Sequence, residues 1–309
     1  MADLTIKGID TKQGVLPIDY TALANKPTVS NPNLIINGSF DIWQRGERFN
    51  NHPDAYCADR WNVRHSNVST FLIEKSVDVP SNVCVKNSMH VINENNTNTY
   101  LQYHFENSLK GLYTLSFWYK STVAFRTFII DGDQWNGLGD NGVSSVWTKA
   151  SYTFTAESLN RINLIHEMNA GECYITGVKL EAGATSTEFS PRPYAEELAL
   201  CRRYYQTIDL ARLDVLCYLH HRNTDEYGGF IRIQPMRTTP TVTRTGYFFV
   251  EKYNSSGVHS VNENELQHLH FVPQFSGLKI GVGLSTQDTV NYLAVGSDSA
   301  TIGFDAEIY

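Results

Sequence analysis

The chain has 309 residues, 41% of them hydrophobic and only 18% charged, with a formal net charge of −7. That length is enough for two domains, the apolar content excludes a disordered chain, and the acidic balance with no basic stripe excludes a nucleic-acid partner. Five cysteines (Cys57, Cys84, Cys173, Cys201 and Cys217) are an odd number with no zinc-site spacing, so they read as free, mostly buried thiols suited to a reducing compartment.

Residues 1–32 form the first unit. They are short, polar and proline-containing, and DYTALANKPTVSNP (Asp19–Pro32) is too small to bury a core of its own. The segment reads as an anchoring arm that orders on a partner or within an oligomer, against the plainer reading of a disordered tail. The opening MADLTIKGIDTKQG has no apolar core of the kind a signal peptide carries. No run approaches the roughly 18 apolar residues of a membrane span.

Residues 33–190 have an all-β texture. The opening NLIINGSFDIW (33–43) resembles the first strand of carbohydrate-binding sandwich modules. TLSFWYK (Thr114–Lys120), AFRTFIID (Ala124–Asp131), WTKASYTFT (Trp147–Thr155), INLIHEM (Ile162–Met168) and CYITGVKLE (Cys173–Glu181) follow as short β-branched or aromatic strands bounded by turn residues. Many short strands between turn signals predict a sandwich or jelly roll. Trp43, Trp61 and Trp118 read as core or core-rim residues. Asp59 and Arg60 are candidates for a structural ion pair with the Arg45 loop, a pairing the sequence does not specify.

Residues 191–207 predict a linker helix, beginning at Pro191 or Pro193 with Ser190 as N-cap. Glu196 and Glu197 lie toward its positive end, Arg202 and Arg203 toward its negative end. Leu198, Cys201, Tyr205 and Ile208 fall on one stripe. Such a stripe packs on the chain's own sheet or on copies about a trimer axis, which makes these four the oligomer-interface candidates.

Residues 208–309 return to β-structure as a distal sandwich. Candidate strands are LDVLCYLHH, GGFIRIQP, PTVTRTGYFFVEKY, LQHLHFVPQF, LKIGVGL and ATIGFDAEIY. Pro235, Pro240 and Pro273 belong at edges or strand ends, because proline lacks the ladder donor. The expected fold is therefore mainly β: two jelly-roll-like β-sandwich domains joined by a short helix, with an extended N-terminal arm.

GVKLEAGATSTEFSPRPYAEELALCRRYYQ (Gly177–Gln206) closely resembles a joint of bacteriophage tail-fibre and related virion-fibre proteins. There it connects a carbohydrate-binding-like sandwich to a distal β-domain. The resemblance extends to LIINGSFDIWQRG (Leu34–Gly46), YCADRW (Tyr56–Trp61) and IQPMRTTPTVT (Ile233–Thr243), and DYTALANKP resembles connecting segments of phage fibre and baseplate proteins. It implies a virion fibre or receptor-binding protein that is assembled in the host cytoplasm and adheres to a bacterial surface glycan. It also implies a homotrimer whose residues 1–32 dock on a tail or capsid protein. A capsid-attached decoration protein is the structural alternative, and a glycan-degrading tailspike the enzymatic one.

Catalysis finds little support. The sequence has no G-x-S-x-G elbow, H-E-x-x-H or Walker loop, and no cofactor is assigned. DGDQWNGLGDNG (Asp131–Gly142) is the candidate surface site. Trp135 would stack on a pyranose face while Asp131, Asp133 and Asn136 take hydroxyl hydrogen bonds. It departs from the EF-hand pattern, because Trp135 stands where an oxygen ligand belongs; a plain glycine-rich turn is its bland reading. His268 and His270 alternate on a candidate strand. In a trimer they would offer six imidazoles to a transition metal, as H-x-H pairs that they resemble do for axial iron in some phage fibre tips. A hydrogen-bonded or solvated pair is the plainer reading. The adjacent His220 and His221 make a poor chelate.

Overall fold

The computed structural model describes residues 31–50, 55–65, 71–94, 99–223, 226–254, 257–262, 268–274, 277–283 and 289–308. The anchoring arm expected over 1–32 lies almost entirely outside them. The chain is mainly β, and its described residues have two separate hydrophobic cores.

The first core belongs to ten strands: β1 (Arg48–Asn50), β2 (Ala55–Tyr56), β3 (Trp61–His65), β4 (Phe71–Ser76), β5 (Ser88–Asn93), β6 (Thr99–Ser121), β7 (Phe125–Asp131), β8 (Gln134–Asn141), β9 (Ser144–His166) and β10 (Gly171–Ala182). All pair antiparallel, in the order β1-β4-β5-β10-β6-β9-β7-β8, with β3 on β6 and β2 on β3. β6 and β9 are 23 residues each, about four times a usual strand. Each serves two layers. Residues 109–121 of β6 pair with β10 and with the first part of β9, whereas residues 99–104 pair with β3 and with the last part of β9. Register shifts between His104 and Gly111 mark the corner. The ladder thus folds over, and side chains of the two layers meet: Phe117 of β6 lies 6.5 Å and Tyr119 lies 5.3 Å, ring to ring, from Phe125 of β7.

Two expected strands, 147–155 and 162–168, are therefore one bent strand. The expected first strand at Leu34–Trp43 is irregular instead. Asn37 and Phe40 take left-handed φ values of 58° and 54°, which a strand cannot hold. Trp61 (0% exposed) and Trp43 (8%) are core, as expected. Trp118 is only half-buried and lies outside the core, because its neighbours Phe117 and Tyr119 face inward and strand side chains alternate. All five cysteines are free thiols, four buried and Cys84 exposed.

The linking helix, α1 (Tyr194–Arg202), is shorter than expected. Pro193, not Ser190, occupies the N-cap, and the helix stops because Tyr205 begins β11 (Tyr205–Ala211). The rest is β12 (Val215–Tyr218), β13 (His220–Asn223), β14 (Glu226–Arg232), β15 (Thr241–Thr245), β16 (Phe248–Asn254), β17 (Gly257–Asn262), β18 (His268–Gln274), β19 (Gly277–Gly283), β20 (Thr289–Val295) and β21 (Ser299–Asp305). They form three small antiparallel sheets, ordered β11-β21-β15, β12-β20-β16-β17 and β13-β14-β19-β18. Pro273 sits in the edge strand β18, where no ladder donor is needed on the outer side, and Pro235 and Pro240 lie between strands.

The four sequence segments that carry the family resemblance converge on one joint. Gly38 approaches the chain so closely that a Cβ there would lie 2.1 Å from the Val178 carbonyl oxygen. Asn37 is held by its own side chain, which donates to the Ile42 and Asp59 carbonyls and accepts from the Ile42 N–H. Its N–H donates to Glu197 Oε1 on α1 (2.6 Å), and Arg192 Nη1 donates to the same carboxylate. The Arg60 guanidinium donates to Glu307 and to the His104 carbonyl and stacks 3.6 Å from the Tyr204 ring centre. Arg45 stacks 3.5 Å from the Tyr205 ring centre and faces Asp305 (3.2 Å), Glu307 (3.5 Å) and Asp59 (4.0 Å). Arg237 donates to the Ala306 and Glu307 carbonyls. The expected pairing of Asp59 with the Arg45 loop is present, while Arg60 takes Glu307 instead.

Burial opposes the charge on Arg60 and Arg45, but the facing carboxylates, Glu307 first, hold both guanidinium groups above their usual range. Burial pushes the Glu307 and Asp59 carboxyls up against the same arginines. The Leu198, Cys201, Tyr205, Ile208 stripe is split by the end of α1. Cys201 is fully buried, Tyr205 lies under Arg45, and Ile208 packs on the second core, so these three are spent within the chain.

Removing one partner from such a network strands a buried charge. Glu307→Ala is expected to cost about 3–5 kcal/mol of unfolding free energy, whereas Asp140→Ala, which breaks an exposed pair with Arg126, costs less than about 1 kcal/mol. Denaturant unfolding of both variants measures the difference, and equal small losses would contradict a joint held by charge.

Candidate functional site

The second layer of the sandwich, β2-β3-β6-β9-β7-β8, turns one face to the core and the other to a groove. Alternation places Trp61, Val63, Leu101, Tyr103, Ile129 and Ile162 inward. The registers then place two cross-strand rows on the outer face. Trp135, Ile130, Arg161 and His104 make one; Gly137, Phe128, Asn163, Gln102 and Asn62 make the next. A cavity of about 560 Å³ opens here, lined by Asn62, Arg64, Gln102, His104, Phe105, Asn160, Arg161 and Ile308. That volume suits a small ligand.

Polar atoms with no hydrogen-bond partner in the protein lie in and behind its wall: Gln102 and Arg161 line the cavity, whereas Asn163 and His166 do not. Gln102 is 2% exposed and its Oε1 is unpaired; Asn163 is 0% exposed and both side-chain heteroatoms are unpaired. Arg161 Nε and His166 Nδ1 are in the same condition. A buried polar group left unpaired costs about 1–3 kcal/mol, a cost concentrated on this side of the sheet. Beside them runs an aromatic shelf. The His166 ring lies 4.4 Å from Phe128, 4.8 Å from Tyr100 and 5.7 Å from Trp135. Trp135 stays 53% exposed, and the Arg161 guanidinium lies 5.9 Å from its ring.

Of the expected surface-site residues none lines the groove; Trp135 comes beside it, its ring 5.9 Å from the guanidinium of the lining Arg161. Asp131–Gly142 is a hairpin, not a loop: Asp131 pairs with Gln134, and Gly132 turns the chain with a φ of 60°. The Asp131 carboxylate accepts the Glu157 and Ser158 N–H groups, so it closes a turn. Asp133 is exposed in that turn. Asn136 projects to the side opposite Trp135, because the two are adjacent on a strand. The sequence reading missed Gln102, His104, Asn62, Arg161 and Asn163. The available signal was the polar position alternating with each core residue in LQYHF and RINLI, but strand pairing alone brings those positions together.

His268 and His270 occupy alternate positions of β18, in register with Gly283 and Gly281; their side chains lie outside the described ones. Among the described residues no group of three or more His, Cys, Asp or Glu side chains is placed to hold a metal ion.

No protein-family model matches the sequence, and no curated protein matches it. Among solved structures, similarity is found to the enzymatically active domain of bacteriophage CBA120 tailspike protein 4, at 15% identity and a TM-score of 0.34 over 40% of this chain and 19% of that one. TmCBM61 in complex with beta-1,4-galactotriose is similar at 13% identity and a TM-score of 0.35, over 49% of this chain and 99% of that one. The N-terminal CBM22-1-CBM22-2 tandem domain of Paenibacillus barcinonensis Xyn10C is similar at 10% identity and a TM-score of 0.33, over 90% of this chain and 98% of that one. Likenesses of this grade do not bear on what the groove binds.

The groove contains a titratable probe. Burial, followed by Arg161, Arg60 and Arg64, lowers His104 from 6.5 to about 4. The unfolded chain therefore takes up a proton between pH 6.5 and 4 that the folded chain refuses. Stability falls as pH drops through that window, by on the order of 2 kcal/mol. The difference in unfolding free energy between the parent and His104→Gln is expected to change over that range and to be constant above pH 7.5. A pH-independent difference from 4 to 8 would show that His104 titrates normally.

Proposed function

We propose that the chain is a virion fibre or receptor-binding protein of a phage, which adheres to the bacterial host surface by binding a glycan non-covalently in this groove. The observation that carries the glycan reading is the amide-rich lining of the groove, with Asn62, Gln102 and Asn160 beside Arg161, next to the exposed Trp135 ring that the Arg161 guanidinium approaches to 5.9 Å. Sugars present just these two requirements. Their hydroxyls exchange hydrogen bonds with amides, and their axial C–H faces lie against aromatic rings.

The virion assignment rests on the resembling segments, and it is supported by their convergence on a single joint. In this reading residues 1–32 dock on a tail protein, the chain acts as a homotrimer, and it resides in the particle after assembly in the host cytoplasm. In this reading binding proceeds without bond cleavage. A capsid-attached fibre remains the structural alternative, decided by which particle protein residues 1–32 contact.

Trp135→Ala is expected to weaken binding of host surface polysaccharide several-fold, on the order of 1 kcal/mol, with unchanged thermal unfolding. Unchanged affinity in a folded variant would move the site elsewhere, and shortening of the polysaccharide by the parent protein would turn the reading to a hydrolase. Deleting residues 1–32 should leave unfolding unchanged and abolish incorporation into particles. Sedimentation of the full chain should give three times the chain mass; a monomer at micromolar concentration rules out the trimer.

A further inference from the structure

We infer that the saccharide taken by the groove is anionic: its sugar residues carry a carboxylate or a phosphate that Arg161 binds. The inference rests on the glycan reading of the same groove and adds the charge of the ligand to it.

The groove and the chain as a whole differ in sign. The chain as a whole is acidic, with a net charge of −7. The groove is the reverse. Its lining contains Arg64 and Arg161 and, among the described residues, no carboxylate. Other arginines near the sandwich have acidic partners. Arg60 faces Glu307, Arg45 faces Asp305, Arg126 faces Asp140, Arg48 faces Glu74 and Arg192 faces Glu197. Arg161 has none among the described residues. The groups that act on its charge are burial, then the like charge of Arg64, with only the Tyr56 hydroxyl opposing them, so its guanidinium sits below its usual range. Its Nε is buried without a partner.

Geometry gives the charge a use. The guanidinium lies 5.9 Å from the Trp135 ring, one row from Gln102, which lines the groove with it. Arginine presents a planar fork of donors that matches a carboxylate or a phosphate. A pyranose stacked on Trp135 brings its exocyclic position near that fork, while its ring hydroxyls reach the amides below. The neutral state of His104 fits the same picture, since a second proton there would add to the positive field at Arg161. A low-dielectric groove of one sign focuses that field on an approaching ligand of the other. A neutral sugar would leave the arginine unpaired, at a cost that nothing else in the groove offsets.

The test uses the full chain and three polymers: polygalacturonate for the carboxylate, phosphomannan for the phosphate, and dextran as a neutral control. Titration calorimetry is expected to show binding of at least one acidic polymer, weakened as sodium chloride is raised from 50 to about 500 mM. Arg161→Gln should reduce that affinity roughly tenfold and leave any dextran binding unchanged. Arg161→Lys, which keeps the charge and loses the fork, should fall between. Polygalacturonate alone or phosphomannan alone identifies the anion. Binding of dextran as strong as that of the acidic polymers, or equal losses for both in Arg161→Gln, overturns the charge inference and leaves glycan binding standing. Binding of none of the three, where Trp135→Ala also fails to alter adhesion to host cells, removes the glycan reading itself.

Discussion

Arg60 and Glu307 lie 247 residues apart in sequence and touch in the least accessible part of the molecule, each essentially out of contact with water. Taking two such charges from water costs several kcal/mol apiece, and only close pairing with further hydrogen bonds offsets it. The joint supplies those bonds. Arg60 also reaches the His104 carbonyl and stacks on Tyr204, and Arg45 brings a second cation to the same carboxylate. The pair does little for stability relative to an apolar contact, but it makes any other seating of the two units expensive. A slip of one residue along the segment after β21 would set Ala306 or Ile308 where Glu307 stands, leaving both arginines buried without it. Left-handed backbone at Asn37, Phe40 and Arg60 is held in place by the same network.

The groove inherits its shape from this joint. Asn62 and Arg64 follow Trp61 directly, on the strand that leaves the joint. The carbonyl of groove-lining His104 accepts from Arg60, and Ile308 lines the groove while its carbonyl accepts the Tyr56 hydroxyl. One wall is thus built from the end of the second unit. The opposite rim is set by the β7–β8 hairpin, where Asp131 fastens the turn to β9 and so fixes where Trp135 stands beside the groove. Between them, the bend in β6 and β9 makes the floor possible. Strands that serve both layers leave the polar outer positions of the second layer free to form a continuous surface.

Much of the architecture was legible in the residues. Short β-branched and aromatic runs marked β7, β10 and β21, proline and acidic residues marked the start of α1, and NGSFDIWQRG with YCADRW marked Trp43 and Trp61 as core or core-rim residues. The limits of those readings have physical causes. A strand's period does not reveal that it bends, so β9 looked like two strands. Side-chain hydrogen bonds at Asn37 compete with a ladder, so an apolar run before it did not become a strand. A helical stripe does not announce where β-pairing begins, so Tyr205 and Ile208 were read as helix.

What the sequence determined by itself was composition and local preference: a β-rich, acidic chain with a sharp strand-to-helix switch, a surface tryptophan in a glycine-rich stretch, and core tryptophans next to arginines. Tertiary structure alone decided which of these meet. Gln102, Arg161 and His104 are unremarked polar residues in their own segments. They become a groove because antiparallel register sets outer positions of β3, β6, β9 and β8 side by side, and no local pattern encodes register between strands sixty residues apart.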